Sequence, residues 1–283
     1  MIRSIVVPNT ATVGDEDALN AAIDLATDLG AHLLVLEIVN LPVPATGSWG
    51  FMPDAAMSDV YQRLRTKAED NVARLRAKLE PEPLSSEVRA VEALFVEPYR
   101  MAANCAHAAD LVVVAGGGRD NTEAKITHAY FASLLLESGR PVLVVPSHCD
   151  VALPPRHVVV GWRPSREAAR ALHDGLPLLT IAETVDVVIV ETAGVEAGDD
   201  EDLPGTDIVE HLARHGIAAN RVVREREPRD QSVGSVLLEH AQQSQAQLII
   251  VGGYGHSRLR EWAVGGVTRE LLSDATLPVL YSH

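Results

Sequence analysis

Apolar residues follow two rhythms along the chain. Short unbroken runs such as Ile5-Val-Val7, Leu111-Val-Val-Val114 and Leu248-Ile-Ile-Val251 have the length and β-branched content of strands buried on both faces. Between them, apolar residues recur with the helical period. Leu19, Ala22, Ile23, Ala26 and Leu29 share one helix face, and Gly30 is the stop signal. Val60, Leu64, Val72, Leu75 and Leu79 mark a longer helix. The pattern predicts strands at 3–8, 32–39, 86–92, 110–115 and 141–145, with further helices near 97–108 and 124–138. It then starts again, with strands near 157–162, 184–191, 219–225, 247–252 and 278–281. Strands alternating with helices imply a parallel sheet covered on both faces, so each half is expected to be a doubly wound α/β layer of five strands. Periodicity leaves the strand order open. The orders 2-1-3-4-5 and 3-2-1-4-5 both place a crevice beside the first strand.

The two halves are copies of one another. Ser4-Ile-Val-Val7 resembles His157-Val-Val-Val160, a shift from 4 to 157, or 153. Asp110-Leu-Val-Val-Val-Ala-Gly116 resembles Gln247-Leu-Ile-Ile-Val-Gly-Gly253, and Pro141-Val-Leu resembles Pro278-Val-Leu, both shifts of 137. The smaller second shift means the first copy holds extra chain, and the Pro-, Gly- and Ala-rich stretch 41–57 is the candidate. Domains are therefore expected at 1–147 and 155–283. Residues 148–155, which contain Pro154-Pro155, read as the linker. A length of 283 residues fits two domains.

Charge removes several function classes. Lys and Arg number 24 against 39 Asp and Glu, a net charge of −15. That balance disfavours a nucleic-acid backbone and an anionic membrane surface, both of which are held by Lys and Arg. No lysine occurs after Lys125, so the second half has no P-loop lysine. The two cysteines, Cys105 and Cys149, lie far apart and make neither a metal knuckle nor a redox pair. The start lacks the pattern of a signal peptide, and every apolar run is shorter than a membrane span. The expectation is a cytoplasmic protein with no membrane partner.

One stretch carries chemistry. The run Leu248–Val251 leads into Gly252-x-x-Gly255, and Gly265-Gly266-Val267-Thr268 follows and opens a helix. Glycines at a strand end admit close backbone approach. Consecutive N–H groups and a helix N-terminus favour an anion. Thr268 adds a hydroxyl, and Arg258 or Arg260 a charge. A tight turn with close helix–strand packing explains the same glycines without any ligand.

This spacing, with Val267-Thr268 and the closing Leu277-Pro-Val-Leu-Tyr281, resembles the universal stress proteins over nearly the whole chain, as two tandem copies. The resemblance implies a Rossmann-like fold with strand order 3-2-1-4-5, a regulatory stress-response role, and in some members ATP binding. Carried over, Gly252, Gly255, Gly265, Gly266, Val267 and Thr268 would hold phosphate and ribose. Val251 and Val190 would line the base, and Gly161, Trp162 and Arg163 would form the opposing wall. ATP, with Mg²⁺, is the implied cofactor. The resemblance also implies that 141–146 and 278–282 pair within the chain, as in the dimer of single-domain members. Association of two chains into a homodimer is left open. Two positions depart from the family pattern. Gly266 stands where a Ser or Thr follows the third glycine, and Arg163 stands where binders carry an acidic residue.

The first copy lacks the motif. Gly116-Gly117-Gly118 is followed by no second glycine cluster, so this copy reads as structural, or as holding a different ligand under 41–57. His211 and His215 share a helix face but have no evident third metal ligand. His256 lies in the glycine loop, the acidic run 196–202 reads as a solvated loop, and Trp49 and Phe51 read as packing or pocket residues. No nucleophile–base arrangement occurs; Glu261 is the carboxylate nearest the loop, and any turnover would be slow ATP hydrolysis. A binding module for an apolar ligand or a protein partner is the alternative.

Overall fold

The computed structural model describes residues 1–42, 54–117, 121–192, 207–226, 231–255 and 266–283. The first copy comprises β1 (Ser4–Asn9), α1 (Asp15–Leu29), β2 (His32–Leu41), α2 (Asp54–Leu79), β3 (Ser86–Leu94), α3 (Pro98–Ala106), β4 (Leu111–Ala115), α4 (Asn121–Glu137) and β5 (Val142–Val145). The second comprises β6 (His157–Gly161), α5 (Arg166–Leu179), β7 (Thr184–Thr192), α6 (Ile208–Arg214), β8 (Ala219–Arg226), α7 (Val233–Gln243), β9 (Leu248–Gly252), α8 (Gly266–Asp274) and β10 (Val279–Ser282).

Helix ends follow local chemistry. Three acidic residues, Asp15, Glu16 and Asp17, occupy the first turn of α1, where the helix dipole favours negative charge. Gly30 closes that helix at φ 58°, a left-handed conformation that glycine adopts without strain. Ser165 caps α5 by accepting from the Ala168 N–H at 3.2 Å, and Ser232 and Ser235 form a capping box on α7.

All ten strands join one sheet in the order β3-β2-β1-β4-β5-β10-β9-β6-β7-β8. Each copy thus has the order 3-2-1-4-5, with every pairing inside a copy parallel. The copies meet at an antiparallel seam in which Val279, Leu280 and Tyr281 of β10 face Val144, Leu143 and Val142 of β5. Side chains alternate across the sheet, so Leu111, Val113 and Ala115 enter one core and Val112 and Val114 the other. Both cores run through the seam. One joins Leu143 to Leu280, and the other joins Val144 and Phe131 to Val279 and Tyr281.

The surplus of the first copy is helix. α2 has 26 residues and its counterpart α6 has 7. The stretch expected to hold the extra chain ends inside α2 from Asp54 onward, and its residues 43–53, including Trp49 and Phe51, lie outside the described residues.

A polar network interrupts the second copy's core. The Asp186 carboxylate accepts from His157 Nε2 at 3.0 Å, His240 Nε2 at 3.1 Å and Asn220 Nδ2 at 2.9 Å. His157 Nδ1 donates to the Ser244 carbonyl at 2.9 Å, and Arg224 donates to His240 Nδ1 at 2.9 Å. Burial alone would raise the Asp186 carboxyl. Its bonds from Asn220, His157 and His240, with the nearby charge of His157, outweigh that and hold it below the usual value. A carboxyl lowered in the folded state stabilises the fold fully above the unfolded value, and that contribution fades as pH falls through the folded value. Urea unfolding as a function of pH is therefore expected to show a loss of stability on the acid side, shallower in Asp186→Asn. Equal slopes for the two proteins would refute the assignment.

Candidate functional site

The crevice beside the first strand of the second copy lies between the ends of β6 and β9. β6 ends at Gly161 and leads to Trp162 and Arg163; β9 ends at Gly252 and leads to Gly253, Tyr254 and Gly255. Gly252 lies against the start of α5. A side-chain carbon built on it would stand 2.6 Å from the Glu167 carbonyl carbon and 2.7 Å from the Ala168 nitrogen. Backbone atoms cannot yield, so Gly252 is fixed by packing whatever it binds. The first copy meets the same contact the other way round. There Gly14 is the small residue, and a carbon built on it would stand 3.1 Å from the Ala115 side chain and 2.8 Å from the Ser147 hydroxyl. Gly14 and Glu167 are 153 apart, and Ala115 and Gly252 137 apart, the same shifts that relate the copies.

Gly161 is likewise a packing residue, because a side-chain carbon there would meet Val251 at 2.9 Å and Leu237 at 3.0 Å. Val251 is buried, and Val190 is partly buried on the strand across β6. Both belong to the core under α7. Thr268 is buried, and its hydroxyl accepts from the Tyr254 N–H at 3.3 Å. The threonine therefore ties α8 to the loop. Val267 packs partly buried on the same core.

Two further glycines are less confined. No described residue lies within 4 Å of a carbon built on Gly266, at the start of α8. A carbon on Gly255 would stand 3.4 Å from Glu167 Oε2 and 3.7 Å from the Arg163 guanidinium. Arg163 is exposed and has no ion-pair partner among the described residues. Gly265, His256, Arg258, Arg260 and Glu261 lie outside the described residues.

The structure adds Glu167, which sequence reasoning passed over. Burial would raise its carboxyl, but a backbone N–H and the charges of Arg166 and His283 hold it below the usual value. An ionised carboxylate thus borders the crevice on the first turn of α5, four residues beyond Arg163. Its sequence signal is the acidic second position of a capped helix.

The loop is braced from the first copy. Phe131 of α4 stacks on Tyr254 with ring centroids 5.9 Å apart and meets Tyr281 edge-on at 4.9 Å. Gly253 lies against Leu135, and its N–H donates to the Ser282 carbonyl at 2.8 Å.

The first copy has no second glycine pair at the corresponding place. Shifted by 137, Gly265 and Gly266 fall on His128 and Ala129, which lie inside α4. The cavity beside β1, lined by Asn9, Asp15, Arg74 and Lys78, holds about 50 Å³, far below the roughly 300 Å³ of small ligand pockets. Asp15 is occupied in its turn, accepting from the Thr10 N–H and hydroxyl and from the Thr12 N–H.

The weaker candidates bring little. His211 and His215 meet edge-on at 4.9 Å, and no group of three metal-ligating side chains occurs among the described residues. Cys105 and Cys149 are free thiols pushed up by burial. No described helix is long and apolar enough to cross a membrane.

Comparison with known proteins agrees with the fold. A universal stress protein of Mycobacterium tuberculosis is 25% identical over 279 residues, covering 91% of this chain and 90% of the relative. One of Mycobacterium bovis matches to the same extent. Among solved structures, a universal stress protein from Archaeoglobus fulgidus superposes with a TM-score of 0.71 at 16% identity, covering 99% of this chain and 95% of that one. A putative universal stress protein from Pseudomonas aeruginosa gives 0.55 at 18% identity, covering 99% and 93%. The family description Universal stress protein matches residues 1–146 and again 155–283. The chain therefore belongs to the universal stress protein family, as a tandem pair of its domains.

Proposed function

We propose that the second copy binds ATP or a related nucleotide, with Mg²⁺, and that the chain acts as a regulatory stress-response protein through occupancy of that site. The observation that carries this reading is the pairing of open backbone with an uncommitted cation. No described residue lies within 4 Å of a carbon built on Gly266, and Arg163, 3.7 Å from a carbon built on Gly255, lacks an ion-pair partner among the described residues. Backbone N–H groups at a helix start and an unpaired guanidinium are donors suited to phosphate. Glu167 at the same crevice is a natural acceptor for ribose hydroxyls or for a phosphate-bound cation. The site would act by binding rather than turnover. Because Tyr254 stacks on Phe131, a ligand held beside Gly255 also bears on the junction between the copies.

Calorimetric titration of the full chain with ATP and Mg²⁺ tests this. One saturable site per chain is expected. Gly266→Asp places a carboxylate at a helix N-terminus, clear of every described residue, where it suits the helix and repels phosphate. It is expected to leave thermal stability intact and weaken binding at least tenfold, roughly 1.4 kcal/mol. Arg163→Ala removes a charge-assisted bond of about 1.5–3 kcal/mol and should weaken binding by a similar or larger factor. Absence of saturation at millimolar ATP, or full affinity in both variants, would overturn the proposal.

A further inference from the structure

A second cavity lies between the copies, apart from the glycine loop. It is a groove of about 990 Å³ bordered by α3 and α4 of the first copy and α8 of the second. Its volume is in the range of pockets that take organic ligands. Phe131, Ala132, Val144 and Leu272 give it an apolar lining, and Leu136 stands beside them 49% exposed. An exposed leucine on a groove wall is an apolar surface that no described residue covers.

The groove is also locally basic in a chain of net charge −15. Lys125, Arg100 and Arg269 line it, with Glu137 as the only acidic side chain among the described lining residues. Glu137 is paired with Arg100 at 3.6 Å. Lys125 and Arg269 have no ion-pair partner among the described residues. Ser133 also lines the groove; it is 5% exposed and its hydroxyl has no hydrogen-bond partner among the described residues. A buried hydroxyl without a partner is uncommon in a finished core and marks a place where a polar group is missing.

From this we infer that the groove binds an elongated amphipathic carboxylate, of the fatty-acid class. Lys125, Ala129, Ala132 and Leu136 fall at helical spacing along one face of α4. From Lys125 to Leu136 that face runs about 16 Å, long enough for an acyl chain of about a dozen carbons. The carboxylate would sit between Lys125 and Arg269, one cation from each copy, and the hydrocarbon would run toward Leu136. Lys125, Arg269, Ala132 and Leu136 are not among the residues proposed to hold nucleotide, so substitutions at these four positions test the groove apart from that site; Phe131, which lines the groove and stacks on Tyr254, does not separate the two.

The test uses the full chain and dansylated undecanoic acid as fluorescent probe. A saturable blue-shifted emission at one probe per chain is expected, displaced by dodecanoate at least tenfold more effectively than by dodecanol. Ala132→Trp, which fills the groove, and Leu136→Glu, which charges an exposed wall position, should each weaken the probe at least tenfold. The pair Lys125→Glu and Arg269→Glu should remove the preference for the acid over the alcohol. Should Ala132→Trp fail to fold, Leu136→Glu decides. No saturable signal, or equal affinity in Leu136→Glu, would overturn the proposal. Equal displacement by dodecanol and dodecanoate would overturn the anionic head. A chain that light scattering finds dimeric through this face, and that ignores the probe, would show a second copy as the occupant instead.

Discussion

Gly252→Val is expected to unfold the second copy rather than simply silence a binding site. The new side chain would enter the backbone of Glu167 and Ala168, at 2.6 and 2.7 Å from its first carbon. Overpacking of this kind costs about 1–3 kcal/mol where side chains can adjust, and here the opposing atoms are main chain. Chemical denaturation should show a loss of at least ~3 kcal/mol, the upper end of that range. A variant with unchanged midpoint would mean that α5 can slide on β9. The consequence for function tests is direct. Loss of nucleotide binding in Gly252→Val would follow from the damaged fold, whereas Gly266→Asp isolates the chemistry.

The second large effect is expected at the junction. Phe131 is 1% exposed and lies between Tyr254 and Tyr281 of the other copy. Phe131→Ala removes both ring contacts and leaves a cavity, a change that typically costs about 3–5 kcal/mol. Thermal unfolding should shift down strongly. Nucleotide affinity should fall as well, because Tyr254 loses its brace and the loop its fixed start. Reduced stability with unaltered affinity would show that the glycine loop is held from within the second copy alone.

Most of the frame was legible in the pattern of residues. Unbroken valine and isoleucine runs and the 3.6-residue spacing between them located the ten strands to within one or two positions, because both signals come from local geometry. Strand order is not local. It came from the resemblance, as did the pairing of 141–146 with 278–282, which the structure shows as the antiparallel seam. Other features depend on what faces what. Gly252 reads equally as a ligand contact and as a packing glycine, and only the position of α5 separates the two. Thr268 looks like a free hydroxyl until Tyr254 is placed over it. Glu167 lies next to Gly255 because two elements distant in sequence converge. The Asp186 network left a faint sign, an acid inside the apolar run Val185–Val188. Its two histidines come from β6 and α7, so no spacing could join them.

The seam between β5 and β10 also bears on how the two copies came to differ. In an assembly of two identical chains, a substitution at the contact or in the crevice appears twice, and both sites change together. Here one polypeptide supplies both sides, so each half can drift while the other is kept. The exchanged glycine, Gly14 on one side and Gly252 on the other, is an asymmetry of this kind. Another is the pair Gly265-Gly266, to which His128-Ala129 within a helix corresponds. Fusion makes asymmetry heritable: one half can be retained as a receptor while the other is reshaped into the wall that supports it.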